Sequence, residues 1–200
     1  MAEEPFLLAL ERSTPVPGGG SAAAYAASVG LALLEKIVRL ESERSGRAPE
    51  ERLDWEALLG RVRRLAEIFR RLRDEDSDAY VRLAEARRSK DEQAIHGAWE
   101  QAIACPMAIM EEAHEALLLA REAGERCKGN LVADVLVVLQ LLRAGCRGAY
   151  HIASANLGMG ATLPAWKGEL TTPAELCTRA ENLFVAAERA ILARVRQETR

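Results

Sequence analysis

The sequence has little of what builds a β-sheet, a zinc site or a nucleic-acid surface. β-branched runs with period-two alternation do not occur, and leucine, alanine, arginine and glutamate dominate, which excludes a strand-rich fold. The four cysteines, Cys105, Cys127, Cys146 and Cys177, stand 22, 19 and 31 positions apart with no Cys-x-x-Cys pair. That removes the common zinc and thioredoxin-like spacings and leaves free thiols, as expected in a reduced cytosol. His96, His114 and His151 are too widely spaced for a His-x-x-x-His helix pair, so no metal is expected. Lysine is scarce, 4 against 23 arginines, and the arginines alternate with acids along helical faces, as over 51–73, instead of clustering. With a net charge of −3 this disfavours nucleic acid as a partner. Residues 13–34 carry no charge, yet two prolines and three glycines break the first half of that stretch. Its remainder is mostly Ala, Ser and Gly, which argues against a membrane span. The opening residues lack a basic stretch followed by an apolar run, so no secretory signal is expected and a cytoplasmic location is.

What remains is helix. Two hundred residues with 49% hydrophobic content suit one domain, residues 1–200, with a sizeable core. Periodicity and breakers predict an all-α antiparallel bundle of five or six long helices. The segments are a short helix over 5–11, helices over 19–45 and 49–73, a continuation or bend over 74–88, and further helices over 91–124, 131–157 and 173–196. Pro106 should kink the fourth of the long segments, because proline removes an i→i−4 bond. Residues 131–142 are apolar on nearly every side, so their helix should be central. Residues 158–170 read as a loop. Small residues crowd two helices, Ser21 to Ser28 on one and Ala144 to Ala155 on the other. They serve either tight packing between those helices or self-association, and a homodimer is expected.

The densest local signal is Thr14-Pro15-Val16-Pro17-Gly18-Gly19-Gly20-Ser21, running directly into alanine-rich helix. Prolines fix φ, glycines allow close backbone approach, and the first-turn N–H groups of a helix are unpaired and favour an anion. Gly18, Gly19, Gly20 and Ser21 are therefore candidate binding residues. One glycine would serve as an N-cap; three after Pro-x-Pro exceed that need.

Several polar residues interrupt apolar surroundings. Asp134 breaks the run 131–139, with Asn130 four residues earlier on the same face. The pair is either a buried acid/base site or a helix cap with its dipole partner. Asp76 and Tyr80, at i and i+4 in an acidic cluster, place a carboxylate and a phenol on one helix face. Asn156 sits in a small-residue helix as an interhelical hydrogen-bond node or a ligand contact. His151 and Arg147 form another i,i+4 pair, with a solvated edge as their default reading. Tyr25 and Tyr150 suit core positions or an aromatic ligand.

Taken in order, these pieces resemble the formiminotransferase-cyclodeaminase family, meaning its cyclodeaminase domain and the stand-alone methenyltetrahydrofolate cyclohydrolases. The marks are residues 13–21 with the alanine-rich helix, Asp76-Ser77-Asp78-Ala79-Tyr80, Gly129-Asn130 followed by Asp134, and the segment from Gly148 to Leu157. Two positions depart from the family pattern: Ala133 stands where relatives commonly have serine, and His151 where they commonly have asparagine. The resemblance implies a one-carbon tetrahydrofolate as small-molecule substrate and proton transfer without a cofactor. It implies either formiminotetrahydrofolate cyclodeaminase or methenyltetrahydrofolate cyclohydrolase activity, with the stand-alone relatives favouring the hydrolase. Asp134 or Asp76 would be the acid/base, Asn130, Tyr80 and Asn156 would orient the substrate, and the glycine amides would hold an anionic part of the folate. The alternative, favoured by Ala133 and His151, is a folate- or anion-binding helical module without turnover. A purely structural oligomer would have no use for the Pro-x-Pro-Gly-Gly-Gly turn.

Overall fold

Strong helix formers fill the chain between its glycine and proline breakpoints, and the fold follows them. The computed structural model describes residues 5–159 and 171–198, which form six α-helices with no strand among them. α1 (Pro5–Leu10) is short. The long ones are α2 (Gly19–Ser42), α3 (Pro49–Ser89), α4 (Glu92–Arg126), α5 (Val132–Gly158) and α6 (Pro173–Glu198), and a 3-10 turn at Gly129–Leu131 leads into α5. The all-α bundle expected from the sequence is the observed one. The loop expected over 158–170 lies, from residue 160 onward, outside the described residues.

Each long helix runs antiparallel to the one before it. Ser21 meets Asp76 and Glu35 meets Arg63 across α2 and α3; Arg61 meets Glu122 and Arg82 meets Gln101 across α3 and α4. Asn156 meets Ala102 across α4 and α5, and Gln140 meets Glu188 with Arg143 on Glu181 across α5 and α6. The helix is not interrupted at 74: α3 is one continuous run of 41 residues, roughly 60 Å along its path at about 1.5 Å per residue. It begins with Pro49 at its first turn and ends at Lys90, whose φ of 59° is left-handed. Asp91 then caps α4 by accepting from the Gln93 and Ala94 amides.

α4 continues through Pro106. A proline has no N–H, so the carbonyl four residues earlier, that of Ala102, loses its helical donor. Asn156 supplies the replacement, its Nδ2 donating to the Ala102 carbonyl oxygen at 2.7 Å. The interhelical-node reading of Asn156 thus has a cause on α4.

α2 and α5 approach closely because glycine and alanine line the contact. A Cβ on Gly145 would lie 2.8 Å from the Ala23 carbonyl oxygen, and one on Gly148 3.0 Å from the Ala23 Cβ. Only part of the small-residue crowding is used this way. α5 is not wrapped on all sides as its apolar run suggested: Val137 is 49% exposed, because α2, α4 and α6 cover three sides and leave the fourth open.

At the far end of α2 the fully buried Glu41 is held by Arg44 and Arg47 and accepts the Lys128 amide at 3.1 Å. Arg47 and Arg126 in turn flank the Trp55 ring, 5.2 and 4.9 Å from its centroid. A buried carboxylate is tolerable only when paired and hydrogen-bonded in this way.

Candidate functional site

The N-terminus of α2 has no cap from its own sequence: Gly18 occupies the N-cap position and has no side chain to offer. The acceptor comes from α3. Asp76 Oδ2 takes the Ser21 N–H at 2.8 Å and lies 3.0 Å from Ser21 Oγ. Ser21, fully buried, also places its Oγ 2.9 Å from the Arg73 carbonyl oxygen and 3.0 Å from Ser77 Oγ. The hydroxyl has one proton to donate, so the Arg73 carbonyl and the carboxylate share it while Ser77 supplies the other bond.

One of the four amides expected to face a ligand anion is taken within the chain: the Ser21 N–H is engaged by the protein's own Asp76. The three glycines accordingly do different things. A Cβ on Gly20 would fall 1.9 Å from Asp76 Oδ1, so the carboxylate sits where only glycine leaves room. A Cβ on Gly19 would meet the end of the Ile152 side chain at 2.9 Å, and one on Gly18 has its nearest neighbour at 3.6 Å.

Asp76 Oδ2 is committed to Ser21, whereas Oδ1 takes no hydrogen bond among the described residues. Burial pushes the carboxyl above its ordinary value, against the opposing pull of the Ser21 hydroxyl and amide. A half-buried carboxyl anchored by one oxygen, with its affinity for a proton raised, is equipped to exchange protons with a bound molecule. Tyr80, one turn further along α3, is exposed. Behind Asp76, Cys105 donates its thiol to the Leu72 carbonyl at 3.4 Å, and burial followed by the charges of Asp76 and Glu75 pushes that thiol up to about 12. It is a protonated packing group and no nucleophile. A groove of about 370 Å³ between α3 and α4, lined in part by Glu75, Ala79 and Gln101, adjoins on a neighbouring face of α3.

α1 closes the other side. Phe6 stacks on Tyr25 with centroids 4.5 Å apart, and the Arg73 guanidinium lies 5.5 Å from the Phe6 centroid. The last turns of α5 reach the same end of the bundle, where Ile152 touches the glycine turn. His151 is exposed there, its ring 5.3 Å from that of Tyr150, and Arg147 turns toward Glu181 on α6 at 3.4 Å. Asn156 is committed through Nδ2 to Ala102.

The structure therefore gathers Gly18, Gly19, Gly20, Ser21, Asp76, Tyr80, His151 and Asn156 at one end of the bundle. It does not bring Asn130 and Asp134 there. Asp134 precedes Ile152 by 18 residues on one helix, which puts it roughly 27 Å away along α5. Nor is it a buried carboxylate: it is half-exposed, Asn130 is exposed, and no side-chain cap forms at either helix start. Within one chain the two aspartates do not face each other across a gap. Ser77 and the Arg73 carbonyl, which complete the Ser21 network, were not singled out from sequence; the Asp-Ser-Asp run contained the only hint.

The sequence model of the formiminotransferase-cyclodeaminase family matches residues 3–162. The chain belongs to this family. Formiminotransferase-cyclodeaminase membership agrees with the fold, which is similar to the crystal structure of formiminotetrahydrofolate cyclodeaminase from Thermotoga maritima, with a TM-score of 0.83 at 16% identity over 100% of this chain and 98% of that one. No curated protein matches the chain. Family and fold together make this a cyclodeaminase-like protein.

Proposed function

We propose that the protein acts on N5-formiminotetrahydrofolate, closing the formimino carbon onto N10 with release of ammonia, and that Asp76 moves the protons. The carrying observation is the Asp76 carboxyl itself: anchored through Oδ2 on the α2 N-terminus, without a hydrogen bond at Oδ1 among the described residues, and pushed by burial toward holding its proton. In this reaction N10 attacks the formimino carbon, a tetrahedral carbon forms between the two ring nitrogens, and the exocyclic nitrogen must be protonated before it departs. One carboxyl of raised proton affinity can receive the N10 proton and hand a proton to the leaving nitrogen. Tyr80 lies on the same face of α3 to orient the substrate, and the N–H groups of Gly19 and Gly20 face the same end of the bundle.

The cyclodeaminase reading is supported by the similarity of the fold to that of the Thermotoga maritima formiminotetrahydrofolate cyclodeaminase. Water attack on a methenyl bridge would use the same carboxyl on the same carbon, so the substrate offered decides between them. Incubation with N5-formiminotetrahydrofolate should produce the near-ultraviolet absorbance of the methenyl product, and incubation with the methenyl compound should leave that absorbance in place. Asp76→Asn should lower kcat by about 10²-fold or more while substrate still binds. Full turnover by that variant removes Asp76 from the chemistry; binding without turnover by the unaltered protein leaves a folate-binding module.

A further inference from the structure

α3 outruns α2. The start of α2 meets α3 at Asp76, and α1 folds back so that Phe6 reaches Tyr25 and Arg73. The stretch of α3 from Ser77 to Ser89, about 20 Å long, therefore runs on past the glycine turn. Its residues on the side of Asp76 are accordingly open: Tyr80 is 49% exposed and Arg87 is exposed. Asp76, Tyr80 and Arg87 lie within about 40° of one another around the helix, because four and eleven residues are both close to whole numbers of turns. They form one stripe that leads away from the carboxyl.

The charge at the end of that stripe is uncommitted. Elsewhere on α3, Arg61 pairs with Glu122, Arg63 with Glu35, Arg70 with Glu67 and Arg73 with Asp74. Arg87 has no hydrogen bond or ion pair among the described residues; its guanidinium lies 4.8 Å from the centroid of the Trp99 ring on α4. Trp99 is buried, so it is a fixed platform. Stacking on an aromatic ring occupies the flat face of a guanidinium and leaves its N–H groups, which lie in its plane, to donate to a planar carboxylate. Trp99 stands one turn before Ala102, whose carbonyl holds Asn156, so the platform belongs to the same end of the bundle as Asp76.

We propose that Arg87 is a specificity-determining residue of the Asp76 site, taking a carboxylate of the substrate's glutamate while Asp76 works at the one-carbon end. This rests on the cyclodeaminase reading. N5-formiminotetrahydrofolate carries its reacting nitrogens at one end and its carboxylates at the other, with an aminobenzoyl ring and an amide between them. α3 offers the matching order: a proton-transfer group at Asp76, an exposed ring at Tyr80 for the aminobenzoyl face, and a cation at Arg87. The backbone rises roughly 16 Å from Asp76 to Arg87, and side chains on a helix tilt back toward its N-terminus, which brings the guanidinium toward Tyr80 and shortens the span. The arginine therefore selects for the tail and fixes the direction in which the folate lies along α3.

The test compares two ligands that differ only in the tail: tetrahydrofolate, and tetrahydropteroate, which lacks the glutamate. Their dissociation constants are measured by titration calorimetry on the parent, Arg87→Gln and Arg87→Lys. Arg87→Gln should weaken tetrahydrofolate by about tenfold or more and tetrahydropteroate by less than about twofold. Arg87→Lys should recover part of the loss, since it restores the charge without the planar fork. In turnover of N5-formiminotetrahydrofolate the loss in Arg87→Gln should fall on KM, because the tail contact is the same in the bound substrate and the transition state. Equal weakening of both ligands would mean that Arg87 acts only by packing on Trp99, and no weakening of either would remove it from the site; each result overturns the proposal. Tetrahydrofolate binding without turnover by the parent sinks the cyclodeaminase reaction alone, and the two-ligand comparison still decides the role of Arg87. A parent that binds neither ligand overturns both.

Discussion

An alanine at position 20 would place its methyl carbon 1.9 Å from Oδ1, 2.5 Å from Cγ and 2.8 Å from Oδ2 of Asp76. Methyl and carboxylate cannot coexist, so in Gly20→Ala the Asp76 side chain must rotate away from α2. It loses the 2.8 Å bond from the Ser21 amide and the 3.0 Å contact with Ser21 Oγ. Hydrogen bonds to a charged group contribute about 1.5–3 kcal/mol each. Two effects offset that loss: the carboxylate regains water that burial now denies it, and alanine is favoured over glycine in a helix by about 1 kcal/mol. The net stability loss should be only about 1–2 kcal/mol, or roughly 2–8 °C in Tm for a chain of this size. Turnover should fall far more, by about 10²-fold or more, because the proton-transfer group has left its place. Gly18→Ala is the matched control: its nearest atom, the Pro15 carbonyl oxygen, is 3.6 Å away and its φ is −120°, so both Tm and turnover should hold. Thermal unfolding and cyclodeaminase turnover on the two variants settle the matter. A fully active Gly20→Ala, or equal losses in both variants, refutes the reasoning.

Asp76→Asn should also change how stability responds to pH. Burial raises the folded-state value of Asp76 above 3.8, so its favourable contribution is complete below about that pH and is lost as pH rises through the raised value. The asparagine variant should therefore match or exceed the parent Tm at pH 7, and that advantage should shrink in acid; a variant less stable than the parent at pH 7 contradicts the assignment of burial as the cause. Asn156→Leu should cost about 1–3 kcal/mol by stranding the Ala102 carbonyl. In a Pro106→Ala background, where residue 106 recovers its N–H, the same change should cost about 1 kcal/mol less, and additivity in the double-mutant cycle would disprove the link.

How much of the site could be read in advance follows from range. The importance of Gly20 was legible as a run of glycines, since its signal is local, but its reason was not: the group that forbids a Cβ there is 56 positions away on α3. Asp76 and Tyr80 share a face by helical spacing alone, whereas the Ser77 and Arg73 partners of Ser21 depend on how α3 is rotated against α2. Asn156 was recognisable as a polar node, and its partner follows from Pro106 only once α4 and α5 are side by side. Asp134 misled because an acid in an apolar run reads as buried, while in the folded chain that run has an open side.

By itself the sequence determined the helical segments, the absence of strands among the described residues and the presence of a glycine turn, because propensity, capping and periodicity act within a few residues of one another. Tertiary structure alone decided that Asp76 takes the Ser21 amide of the turn, that Cys105 is a buried donor, and that Asp134 stands at the opposite end. These depend on the rotation and axial offset of packed helices, which small differences summed over many weak contacts select and no short window of sequence contains.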